Sequence, residues 1–61
     1  MKGNYSIAIK EIELALEVFE NENNDSLIAR SYALMGSSYW QISDYGKAMQ
    51  YFLDALKIYE Q

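Results

Sequence analysis

A chain of 61 residues with net charge −4, no cysteine and no histidine leaves room for one small domain without disulfides and removes the commonest general base and metal ligand. The acidic balance argues against nucleic acid or an anionic membrane as partner, no apolar run approaches the ~20 residues that cross a bilayer, and the start "MKGNYSIAIKEIE" is too charged for a signal peptide. With no nucleophile and base, no phosphate loop and no metal set, the expectation is a non-catalytic, soluble, cytoplasmic chain with no cofactor and no metal.

Proline is absent and only three glycines occur, so polar clusters alone punctuate the helical pattern. The first predicted helix covers about 4–21, with Asn4 at the N-cap position. Ala8, Ile9, Ile12, Ala15, Leu16 and Phe19 share one broad face of it, and Ile7, Leu14 and Val18 form a second apolar strip. Lys10, Glu13, Glu17 and Glu20 make the polar arc. Carboxylates at this spacing can bind metal or share a proton, but with no histidine and no second carboxylate helix opposite them a solvated acidic face is the reading adopted.

The cluster "NENND" at 21–25 separates this helix from a second, predicted over 26–41 with Asp25 as its cap. Its interior holds Gly36, in "SYALMGSSYW". Glycine inside a helix costs about 1 kcal/mol relative to alanine, so this position asks for a packing reason. A second cluster, "SD" at 43–44, precedes a third helix predicted over 45–60 and capped by Asp44. Polarity there is confined to Lys47, Gln50, Asp54, Lys57 and Gln61, and Tyr45, Ala48, Met49, Tyr51, Phe52, Ala55, Leu56, Ile58 and Tyr59 cover the rest. Each outer helix has an apolar surface about twice the usual 100° stripe and expects neighbours on more than one side.

The outer helices are related to each other. Setting "NYSIAIKEIELALEVFE" over "DYGKAMQYFLDALKIYE" matches Tyr5 to Tyr45, Ala8 to Ala48, Ala15 to Ala55, Leu16 to Leu56 and Glu20 to Glu60. Ile12 with Phe52 and Phe19 with Tyr59 are conservative pairs. Self-similarity at a period of about 40 residues is the mark of stacked repeats, in which no unit buries its own apolar face.

Residues 29–61 resemble a tetratricopeptide repeat. The family's run of aromatic, leucine, glycine, tyrosine, then alanine and phenylalanine is met by Tyr32, Met35, Gly36, Tyr39, Ala48 and Phe52, with Ala55 at a further small position. Met35 replaces leucine, and Glu60 stands in place of the closing proline. Residues 4–20 look like the second helix of a preceding repeat. The resemblance implies an all-α fold of three antiparallel helices in a solenoid-like arrangement, with the period of the long-repeat members found in signalling regulators and adaptors. It also supplies a reason for Gly36: with Ala48 and Ala55 it lets two backbones approach while Tyr32, Tyr39 and Phe52 fill the space beside them.

The function implied is a non-catalytic scaffold for a protein or peptide, presenting a helical groove or end face. The family's groove positions fall on Arg30, Ala33, Ser37, Trp40 and Gln41. Trp40 and Arg30 are residue types enriched at binding hot spots, and the plainer alternative is that Trp40 packs against a neighbouring helix. The lysine and asparagine clamp for chaperone tails looks absent, since Ala33 and Ser37 stand at two of its positions. The chain begins and ends with a second helix of a repeat, which suggests an excised piece of a longer array or a segment completed by self-association, a dimer being the first expectation. Ile7, Ile12, Leu14, Val18 and Phe19 at one end, and Met49, Leu53 and Leu56 at the other, are the candidate contacts. A structural dimerisation or spacer segment without peptide ligand is the alternative.

Overall fold

The computed structural model describes the backbone of residues 2–60 and the side chains of residues 5–60. Three helices follow one another: α1 (Lys2–Asn21), α2 (Asp25–Gln41) and α3 (Tyr45–Tyr59). Among the described residues there is no strand, and no helix is long and apolar enough to cross a membrane. The fold class is thus all-α, as expected, with boundaries that shift by a residue or two.

Two of the three expected caps move. Helix α1 starts at Lys2, so Asn4 lies inside it, and the side chain of Asn4 is outside the described residues. At α2 the cap is Asn24 and not Asp25: Asn24 has left helical geometry (φ −91°, ψ 85°), and its side chain accepts from the Leu27 N–H at 3.2 Å. Asp25 falls in the first turn instead, where its charge favours the positive end of the helix. Asp44 caps α3 as expected, accepting from the Lys47 N–H at 3.4 Å.

The two turns share one construction. Asn23 and Ser43 take positive φ (55° and 69°), and the next residue returns its N–H to a carbonyl of the finished helix: Asn24 to Phe19 at 3.0 Å, Asp44 to Tyr39 at 2.9 Å. Orphan helix-end carbonyls are satisfied in this way. Replacing Asn24 with alanine is expected to cost about 1 kcal/mol in urea unfolding, with a smaller loss for Asp25→Ala. Equal losses from the two changes would contradict the assignment of the cap.

Helix α2 is the centre of the molecule. It packs against both α1 and α3, whose backbones do not approach each other among the described residues, in a slab of 33 × 21 × 11 Å. The sealed core is correspondingly small: Ile9 from α1, Ala29 and Met35 from α2, Ala48 and Ala55 from α3. Ser31 is buried too, and its hydroxyl donates to the Leu27 carbonyl at 2.9 Å. Gly36 lies where the rings crowd: a Cβ placed on it would stand 2.7–3.0 Å from three carbons of the Phe52 ring. The glycine therefore makes room for an aromatic side chain of the neighbouring helix.

Candidate partner-binding groove

The free side of α2 carries the expected groove residues. Arg30, Ser37, Trp40 and Gln41 are exposed and Ala33 is half-buried. Arg30, Ser37 and Gln41 recur at spacings of seven and four, which places them on one stripe. Leu34 belongs to the same stripe, one turn after Arg30, and half of its surface is open. The resemblance passed over Leu34, although its spacing from Arg30 and Gln41 was sufficient to find it.

The outer helices rim this surface at one end. Trp40 is 51% exposed and meets the Tyr45 ring edge-on, with centroids 4.7 Å apart. On the other flank the Tyr5 hydroxyl lies 3.4 Å from Gln41 Oε1 and can donate to it. Tyr5 and Tyr45, matched in the repeat, thus stand on either side of the C-terminal turns of α2. Such an aromatic cluster offers apolar area and hydroxyls at small entropic cost to a bound partner.

The candidate contacts for a second copy divide. Ile7, Leu14 and Val18 are exposed along one strip of α1, and Met49, Leu53 and Leu56 are exposed on α3. Ile12 and Phe19 are half-buried, and because α2 is the only helix that α1 meets among the described residues, they pack against it. They belong to the face of α1 turned toward α2, roughly a third to nearly half a turn away from Ile7 and Leu14. Tyr45 and Tyr59 join Met49, Leu53 and Leu56 on α3, all substantially open.

Of the residues expected to pack the repeat, Met35, Gly36, Ala48 and Ala55 are buried, Tyr32 and Tyr39 are half-buried, and Phe52 keeps 37% of its surface exposed while its ring lies against Gly36. Tyr51, which the motif does not include, completes a row: its ring stacks parallel on Tyr39 at 5.5 Å and tilts against Tyr32 at 6.0 Å. Burial, then the negative charges of Glu20 and Asp54, push the Tyr32 phenol up from its ordinary value. Burial, then Tyr39 and Glu13, raise Tyr51, against an opposing pull from Lys47. Among the described residues no group of carboxylates is placed to hold a metal ion.

No curated protein and no solved structure matches the chain. A family model does: the one described as Tetratricopeptide repeat matches residues 1–61. The family is generally non-catalytic and binds proteins or peptides. With Gly36 set against Phe52, the small residues at the helix crossings and a match over its whole length, the chain belongs to the tetratricopeptide repeat family.

Proposed function

We propose that the chain is a non-catalytic interaction scaffold that offers the α2 groove to a protein or peptide and associates with a second copy through the open face of α3. The observation that carries this reading is the unequal treatment of repeat-matched faces. Ile9, Leu16 and Phe19 of α1 pack toward α2, whereas their counterparts Met49, Leu56 and Tyr59 on α3 are open. A face built to receive a helix and left uncovered is an interface in search of one.

Light scattering over a concentration series tests the self-association. The expected result is a dimer that Leu53→Glu with Leu56→Glu converts to monomer while helicity is kept. A parent chain that stays monomeric throughout would overturn it. Acrylamide quenching of Trp40 in the assembled state separates groove from spacer: the groove reading requires the indole to stay accessible, and the spacer reading requires it to be shielded.

A further inference from the structure

The side of α2 opposite the groove holds a row of tyrosines. Tyr32 and Tyr39 lie two turns apart on one face of α2, and Tyr51 of α3 bridges them. Because the backbones of α1 and α3 do not approach each other among the described residues, this aromatic row is the floor of a furrow and is half-buried instead of sealed. Carboxylates of both outer helices lie within electrostatic reach of it. Glu20 of α1 and Asp54 of α3 act on Tyr32, and Glu13 and Asp54 act on Tyr51. Gln50 donates to one Asp54 oxygen at 3.2 Å and steadies that carboxylate.

The furrow has two chemically different ends. Toward the α2–α3 turn it opens into a cleft of about 450 Å³ lined by Ser6, Ile7, Ile9, Lys10, Glu13, Tyr39 and Ile42. The three isoleucines make that end largely apolar, and Lys10 and Lys47 place positive charge there. Lys47 Nζ sits 5.2 Å from the centre of the Tyr39 ring, so one end of the aromatic floor already receives a cation from its own chain. At the Tyr32 end the charges that act on the phenol are the carboxylates of Glu20 and Asp54.

We propose that this furrow is a second docking surface, whose occupant is an extended segment of a partner protein carrying an arginine near an aliphatic side chain. The guanidinium lies over Tyr32 and Tyr51 between Glu20 and Asp54, and the aliphatic group enters the isoleucine-lined cleft. Arginine fits better than lysine because its plane stacks on an aromatic face while its N–H groups reach carboxylates. From Tyr32 to Ile42 the α2 axis advances about 15 Å at 1.5 Å per residue, a distance that an extended chain covers in roughly four or five residues. The spacing between the two anchors follows from that length.

The test is a titration of the isotopically labelled full chain, followed by amide and indole shifts, with a synthetic glycine- and serine-rich peptide bearing one arginine four residues before one leucine. Shifts at Tyr32, Tyr39, Tyr51 and Glu13, with the Trp40 indole unmoved, are expected. Glu20→Gln with Asp54→Asn, both on the helix surface, should keep the circular dichroism of the parent and weaken binding roughly fivefold, and a peptide with glutamate in place of arginine should not bind. Binding that is indifferent to these changes, shifts confined to the Arg30 and Trp40 side, or no shift at millimolar peptide would each overturn the proposal. So would light scattering and shifts that place a second copy of the chain in the furrow.

Discussion

Replacing Met35 with alanine is expected to leave the chain without a cooperative thermal transition near room temperature. Met35 is 1% exposed and is, among the described residues, the largest side chain sealed on every side. Removing a buried side chain of this size costs about 2–5 kcal/mol, because the lost transfer energy is joined by that of the cavity left behind. Against this stands a total stability of roughly 0.05–0.15 kcal/mol per residue, or about 3–9 kcal/mol for a chain of this length. The slab has no second layer to collapse into the hole, and the other sealed apolar residues are Ile9 and three alanines. Met35→Leu, which restores the side chain usual in the family, should cost less than about 1.5 kcal/mol. Circular dichroism melts of the two variants check this, and an alanine variant that melts like the parent would place the core elsewhere.

Gly36 gives the second large effect, with a sign that depends on its neighbour. Leucine at this position should overpack the crossing of α2 and α3 and cost about 1–3 kcal/mol. Alanine sets two terms against each other: a gain in helix propensity of about 1 kcal/mol and a Cβ forced to within 2.7 Å of the Phe52 ring. A contact that short cannot persist, so Phe52 must swing outward and give up its cover over the backbone of α2. Gly36→Ala is therefore expected to destabilise the parent. In a Phe52→Ala background the ring is gone and only the propensity term remains, so the same substitution should stabilise by about 1 kcal/mol. A double-mutant cycle in urea measures this reversal; additive effects would mean that Phe52 is not the reason for the glycine.

The elements and their order were legible because nothing in the chain competes with helix except two polar clusters, and each cluster became a turn. Gly36 was legible as well, since its cost demands a neighbour and the repeat pattern supplied Phe52. The cap of α2 was read one residue late: Asn24 and Asp25 are both able caps, and the choice falls to the residue that follows Asn23, the one with positive φ. Ile12 and Phe19 were named as contacts for a second copy because α1 is apolar on so much of its circumference that periodicity alone does not say which strip α2 covers. The tyrosine furrow was hidden for a different reason. Tyr32, Tyr39 and Tyr51 sit at helical spacing and read as ordinary packing, and only the separation of α1 from α3 leaves their rings open.

That separation also bears on how the chain reaches its fold. Among the described residues the packed helices are neighbours in sequence, so each pairing starts across a turn of three residues and zips outward to its far end, where Tyr5 meets Gln41. Chains dominated by such local contacts have low contact order and fold in microseconds to milliseconds. The same topology lets either outer helix open while the remaining hairpin of two helices persists. Hydrogen exchange should then grade from the ends toward α2, with Ala29 and Met35 in the segment that opens last.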